Sequence, residues 1–149
     1  MIESKPVRIA GVRPVREYAL KVAFMNGKTF TVDLGEFVHR LKGLRALRDP
    51  ARFARADLGE GGFSLVWPGD LDIGADRIYE IALEQNGRTD AAAFIRWRWR
   101  NRLSLSAAAE ALGVSRRMVA YYASGEHEVP RTILLACKGW EAERRHAPA

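Results

Sequence analysis

Two arginines and two tyrosines lie close together in the segment SRRMVAYYAS, residues 115–124. Arg116 and Arg117 follow Ser115, which can cap a helix, and Tyr121 lies about one helical turn after Arg117. Guanidinium groups placed in this way can hydrogen-bond a phosphate or the O6 and N7 acceptors of a guanine. The residue types and their spacing therefore indicate recognition of a polyanion.

The two arginines occupy an unfavourable position for helix stability. The amino-terminal end of a helix carries a partial positive charge, which repels a nearby guanidinium group. A phosphate or a guanine edge close to Arg116 and Arg117 would offset this repulsion. We interpret this violation of a local stability rule as an indication of function.

The surrounding residues predict two helices joined by a short turn. Ser104 can cap an alanine-rich helix over residues 105–112, and Gly113 can end that helix with a positive φ. Ser115 can cap a second helix that runs to about residue 124, where Gly125 can end it. Two helices joined by a turn of three or four residues that contains glycine form a helix-turn-helix.

The second helix is predicted to have a buried face and an outward face. Met118, Val119 and Tyr122 recur at spacings that favour burial against the rest of the domain. The residues predicted to point the other way are Arg116, Arg117, Ala120 and Tyr121.

The stretch LSLSAAAEALGVSRRMVAYYASGEHEVP, residues 103–130, resembles the phage-repressor (Cro/lambda-repressor-like) helix-turn-helix family. The shared features are Leu-Ser, an alanine before an acidic residue, Leu-Gly-Val-Ser, an apolar residue five after the valine, a glycine and a closing proline. The resemblance covers about residues 91–140 and implies an all-α domain that binds double-stranded DNA. Ala123 departs from the family, which often has a structural glutamate there. The implied DNA-binding residues are Ser115, Arg116, Arg117, Ala120 and Tyr121.

A second basic segment, FIRWRWRNR, spans residues 94–102. Its alternation fits a strand, but the alanines before it, with Asp90 as a possible cap, favour a helix. Arg96 and Arg100 would then face solvent, where they could contact DNA phosphates. A solvated face whose arginine stems cover the tryptophans explains the pattern equally well. The predicted buried face consists of Ile95, Trp99 and Leu103, widened by Phe94 and Trp97.

The residues before the basic half predict a small α+β domain. Alternating apolar residues indicate strands over residues 7–15, 18–24 and 29–34, and Asn26-Gly27 favours a type I′ hairpin turn. A short helix is expected around residues 37–44, and Asp49 can cap a helical turn that starts with Pro50. A further strand is expected over residues 63–67, and a helical turn within residues 70–83. This order of turns and strands resembles, over about residues 7–80, an uncharacterised family of small bacterial α+β domains.

The charge distribution separates these two parts. The net charge is +6, and residues 1–86 contain 13 Lys and Arg against 12 Asp and Glu. Residues 87–149 contain 11 Lys and Arg against 6 Asp and Glu, and ten of the eleven cations are arginine. The polar segment EQNGRTD, residues 84–90, marks the joint between them. We therefore predict an α+β domain over 1–86 and an all-α helix-turn-helix domain over 87–149, the latter facing a polyanion.

Several function classes are disfavoured by the composition. The single cysteine, Cys137, excludes an intramolecular disulfide, and His39, His127 and His146 are too far apart to suggest a metal site. No apolar run reaches the roughly 18–20 residues of a membrane span, and no signal peptide is apparent, so a cytoplasmic location is expected. The aspartates of the DLD segment at 70–72 follow Pro-Gly and fit a turn better than a catalytic cluster. We expect neither a cofactor nor enzymatic activity.

The sequence thus predicts a sequence-specific DNA-binding protein, a transcriptional regulator that acts as a homodimer. Its amino-terminal domain would serve for assembly, or for sensing a ligand or a partner such as a toxin. The alternative is an antitoxin-like or other non-enzymatic protein-interaction module whose helix-turn-helix serves only for packing.

Overall fold

The structure is a computed structural model of the chain and describes residues 6–146. The described chain divides into two compact units, residues 6–86 and residues 87–146. We call them the amino-terminal unit and the carboxy-terminal unit.

The amino-terminal unit starts with a three-stranded antiparallel sheet in the order β1 (Ile9–Arg16), β2 (Ala19–Phe24), β3 (Thr29–Asp33). In the central strand, Leu20 and Val22 are buried while Lys21 between them is exposed. This is the alternation expected of a strand with one face in the core. The three predicted strands are confirmed to within two residues at each end.

The hairpin between β2 and β3 is confirmed, but its predicted turn type is wrong. Gly27 has a φ of +90°, whereas Asn26 does not adopt a positive φ, so the turn is not type I′. The Gly27 N–H donates to the Phe24 carbonyl at 3.0 Å, and the Phe24 N–H donates to the Lys28 carbonyl at 2.8 Å. Asn26 instead accepts the Lys28 N–H through its side-chain oxygen at 2.9 Å. The result is a three-residue loop that ends in a left-handed glycine.

Short helical segments follow the first sheet: α1 (Gly35–Arg40), a 3₁₀ helix (Lys42–Arg48) and α2 (Pro50–Phe53). The Asp49 carboxylate accepts the Ala51 N–H at 3.1 Å, which confirms the predicted cap with proline at the first helical position. The indole N–H of Trp67 donates to the Phe53 carbonyl at 2.8 Å. This hydrogen bond attaches the end of α2 to a later segment of the same unit.

The second half of this unit differs from the prediction. Strands β4 (Asp57–Leu58), β5 (Ser64–Trp67) and β6 (Leu71–Gly74) form a second antiparallel sheet in that order. An eleven-residue helix, α3 (Ala75–Gln85), follows directly. The helix expected within 70–83 is therefore present but longer than a turn, and strand β6 before it was not expected. The strand signal was weak because β6 turns only Ile73 fully into the core.

The carboxy-terminal unit contains four helices: α4 (Thr89–Arg100), α5 (Leu105–Leu112), α6 (Arg116–Ser124) and α7 (Arg131–Arg145). The segment FIRWRWRNR is helical, as predicted, up to Arg100. Its core tryptophan is Trp97, which is 2% exposed, whereas Trp99 is only half-buried. The buried face of α4 is therefore rotated relative to the predicted one, so that Trp97 rather than Trp99 enters the core. The core cluster of this unit consists of Phe94, Trp97, Leu105, Ala108, Ala109, Val119, Tyr122, Val129 and Cys137.

The fold is thus α+β, with small antiparallel sheets in the first unit and helices in the second. Across residues 6–146, no helix is both long and apolar enough to pass through a membrane. The same residues bring together no group of three or more His, Cys, Asp or Glu side chains suited to a metal ion.

Candidate functional site

The turn between α5 and α6 is built as the sequence predicts. The Ser104 hydroxyl accepts the Ala107 N–H at 3.0 Å, and α5 ends at Gly113 with a φ of +70°. The Ser115 hydroxyl accepts the Met118 N–H at 3.1 Å, and α6 ends at Gly125 with a φ of +78°. Both serine caps and both glycine ends are therefore confirmed.

The inner face of α6 holds the helix against α4 and α5. Val119 and Tyr122 are buried, and Met118 packs against the same core cluster. The Tyr122 ring meets the Phe94 ring of α4 edge to face, with centroids 5.5 Å apart. Because Ala109 of α5 is small and 93% buried, α5 can approach α6 closely. These contacts determine which residues of α6 point outward.

The outer face of α6 presents a row of three side chains, Arg117, Tyr121 and His127, which we call the α6 surface. The Arg117 Nε donates to the Tyr121 hydroxyl at 3.1 Å, and its guanidinium carbon lies 5.6 Å from the Tyr121 ring centroid. The Tyr121 ring centroid lies 4.3 Å from that of His127. The position of His127 beside Tyr121 could not be predicted from the sequence, because His127 lies beyond Gly125 and no helical spacing relates it to Tyr121.

Three residues predicted to point outward are less accessible than expected. Arg116 is half-buried, and its Nε is removed from solvent. Ala120 is also half-buried and packs against the core cluster. Tyr121 is half-buried as well. The prediction of a fully outward set is therefore wrong for these three residues, because α4 and α5 pack against α6. Arg117 remains exposed.

A polar network fixes the turn that follows α6. Arg88 donates to the Gly125 carbonyl at 2.5 Å and to the His127 carbonyl at 3.2 Å. Asp90 pairs with Arg88 at 3.1 Å and accepts the Val129 N–H at 2.8 Å. Burial alone would raise the pKa of Asp90, but the hydrogen bonds from Arg88 and Val129 outweigh it and lower the pKa below its ordinary value. Asp90 is therefore not the predicted cap of α4, which starts at Thr89; it anchors the loop that carries His127.

Arg96, which was predicted to face solvent, is half-buried. Arg100 is exposed, as predicted, but it is paired with a carboxylate. Its guanidinium group makes two hydrogen bonds of 2.8 Å to the carboxylate of Glu141 on α7. The Asn101 amide donates to the same carboxylate at 2.8 Å. The hydrogen bonds from Arg100, and then that from Asn101, lower the pKa of Glu141 from 4.5 to about 2. The pair connects the end of α4 to α7.

The structure therefore brings only part of the predicted site together. Helix α6 carries all five of its predicted residues, with Ser115 as its cap: Ser115, Arg116, Arg117, Ala120 and Tyr121. Arg96 and Arg100 lie on α4 instead and line a groove between α4 and α7.

The chain thus consists of an α+β unit followed by a helical unit. Helix α6 of the second unit carries Arg117 and Tyr121 on its outer face. The chain belongs to the family described as "Protein of unknown function (DUF2442)", which matches residues 9–84. This match confirms the resemblance of the first unit to an uncharacterised domain family.

A solved structure is similar over nearly the whole chain. It comes from Nitrosomonas europaea ATCC 19718 and is described as a "Putative DNA Binding Protein". The two chains are 39% identical with a TM-score of 0.73, and the match covers 99% of this chain and 94% of the other. A search of curated proteins finds no match.

Proposed function

We propose that this chain is a sequence-specific double-stranded DNA-binding protein that regulates transcription. The observation that carries the proposal is the α6 surface, where the exposed Arg117 is held against Tyr121 in the first turns of a capped helix. A guanidinium group can donate two hydrogen bonds to a guanine edge in the major groove. DNA phosphates close to the same group would also offset its repulsion by the positive end of the α6 dipole.

In this proposal, α5 and α6 act as a lambda-repressor-like helix-turn-helix with α6 as the recognition helix. The amino-terminal end of α6 enters the major groove, because this end carries Ser115, Arg116 and Arg117. Arg116 reaches the DNA past the covered part of its side chain, and Ala120 offers at most a methyl contact to thymine. Arg96 is the proposed phosphate contact of α4.

The charge of the carboxy-terminal unit supports the proposal. Residues 87–149 hold 11 Lys and Arg against 6 Asp and Glu, a surplus that attracts a polyanion. The similar protein from Nitrosomonas europaea, whose description names DNA binding, supports the same assignment at 39% identity.

We further propose that the protein acts as a homodimer in the cytoplasm, without a cofactor and without catalysis. The amino-terminal unit then serves for assembly, or for sensing a ligand or a protein partner such as a toxin. A two-fold dimer places two recognition helices in successive major grooves, about 34 Å apart.

Selection of genomic fragments by the purified full chain, at about 0.15 M salt, tests DNA binding and identifies the site. We expect enrichment of an inverted repeat whose half-sites are separated by about one helical turn. Arg117→Ala should reduce the enrichment and relax the selected motif at one base position. The matched control is Lys21→Ala, which removes an exposed cation from β2 in the other unit and should select the same motif.

Two outcomes would overturn the proposal. If no fragment is enriched and duplex DNA is not bound even at low salt, the helix pair is a packing or protein-interaction element. If Arg117→Ala and Lys21→Ala select the same motif as the wild-type chain, α6 does not read the sequence.

A further inference from the structure

A groove of about 330 Å³ lies between one face of α4 and one face of α7. This volume falls within the roughly 300–1,000 Å³ typical of small-molecule sites. Apolar side chains form its floor, which consists of Trp97, Leu134, Leu135 and Cys137, and we call Arg131 and Lys138 its rim. The groove shares no residue with the α6 surface, but Arg96, the proposed phosphate contact of α4, also lines it.

Helical spacing places these groups in a regular order. On α7, Arg131, Leu134, Leu135 and Lys138 follow one another at i, i+3, i+4 and i+7, so they share one face of the helix. Two apolar residues therefore lie between two cations. Leu135 is 49% exposed, so the apolar stretch between the cations is open to a ligand.

The floor carries no charge at neutral pH. Burial is the main reason that the pKa of Cys137 rises to about 12, so its thiol stays neutral and acts as a small apolar group. The carboxylate of Glu141 also lines the groove, but the bidentate contact with Arg100 already balances its charge. A net positive charge therefore remains along the rim.

We propose that this groove binds a small amphiphilic anion, a molecule with an apolar body and one acidic head group. The body covers Leu134, Leu135 and Trp97, and the head group pairs with Lys138 or Arg131. Charge disfavours a second copy of this chain as the occupant. A two-fold contact places each patch against itself and so brings cations against cations.

The experiment titrates the full-length protein with 1-anilinonaphthalene-8-sulfonate, an aromatic anion that fluoresces on binding an apolar site. We expect saturable binding, and displacement of the dye by decanoate. Decanol, which has the same alkyl chain without the charge, should displace the dye only at a concentration at least about tenfold higher than that of decanoate. Lys138→Glu and Arg131→Glu should each weaken dye binding by about fivefold or more.

Lys21→Glu is the matched charge reversal outside the groove and should bind the dye like the wild-type chain. Circular dichroism checks that all three variants keep their helices, which is expected because the altered residues are exposed. Absence of saturable binding, or equal displacement by decanoate and decanol, would overturn the proposal. If the wild-type chain binds no dye and forms a dimer that Leu135→Asp disrupts, the groove is an interface between two copies of the chain instead.

Discussion

The Nε of Arg117 donates a hydrogen bond to the Tyr121 hydroxyl at 3.1 Å, and its guanidinium carbon lies 5.6 Å from the centre of that ring. Tyr121 in turn packs against His127. The arginine is therefore held along the outer face of α6 before any ligand binds. A side chain that is already ordered loses less conformational entropy on binding.

Arg117→Ala should weaken binding to the selected DNA site by about 1–3 kcal/mol and relax the preference at one base position. The reason is the loss of a guanidinium group that can contact a base edge. Binding isotherms on the selected site and on random duplex measure both effects. Tyr121→Phe is the matched variant, since it keeps the ring but removes the hydroxyl that holds Arg117, and its loss should be smaller. Equal losses on both DNAs for Arg117→Ala would mean that Arg117 only neutralises phosphates.

Two of the three arginines of α4, Arg96 and Arg100, should behave differently from each other. Arg100→Ala should lower the free energy of unfolding by about 1 kcal/mol, because it removes the partner of Glu141. Arg96→Ala should weaken binding to selected and random DNA alike, and lower by about one unit the slope of the logarithm of the binding constant against the logarithm of the salt concentration. Urea unfolding and a salt series of binding isotherms separate the two effects. An Arg100→Ala variant as stable as the wild-type chain would contradict the assigned role of the pair.

Stability should fall in acid partly through Glu141. Since its pKa drops from 4.5 in a free side chain to about 2 in the folded state, its contribution is present above about pH 4.5 and is lost as the pH falls toward 2. Asp90, whose pKa is also lowered, acts in the same direction. Urea midpoints measured between about pH 6 and pH 3 should fall more steeply for the wild-type chain than for Glu141→Gln. Parallel profiles for the two proteins would contradict this prediction.

Gly62→Ala should destabilise the amino-terminal unit more than Gly27→Ala does. Both glycines have a positive φ, of +77° and +90°, so alanine is strained at either position, by about 1–2 kcal/mol. At Gly62 a Cβ would also lie 2.3 Å from the Ile9 carbonyl oxygen, whereas at Gly27 it meets nothing within 4 Å. We therefore expect a total loss of more than about 2 kcal/mol for Gly62→Ala, measured by urea unfolding. Equal losses at the two positions would show that the backbone around Ile9 yields freely.

Interactions within a few residues could be predicted from the sequence. The caps at Ser104, Ser115 and Asp49 join a side chain to a backbone N–H two or three residues away. Gly113 and Gly125 end their helices through their own freedom to adopt a positive φ. The bounds of α5 and α6 are therefore determined by the local sequence.

Contacts between distant residues were decided only by the tertiary structure. Arg100 and Glu141 are 41 positions apart, and nothing in either local segment indicates that they meet. The choice of Trp97 over Trp99 for the core depends on how α4 is rotated against its neighbouring helices, since both tryptophans are equally apolar. Strand β6 exists because β5 provides hydrogen-bond partners, while its own four residues carry little strand signal. In each case the deciding energy comes from a partner that is remote in the chain.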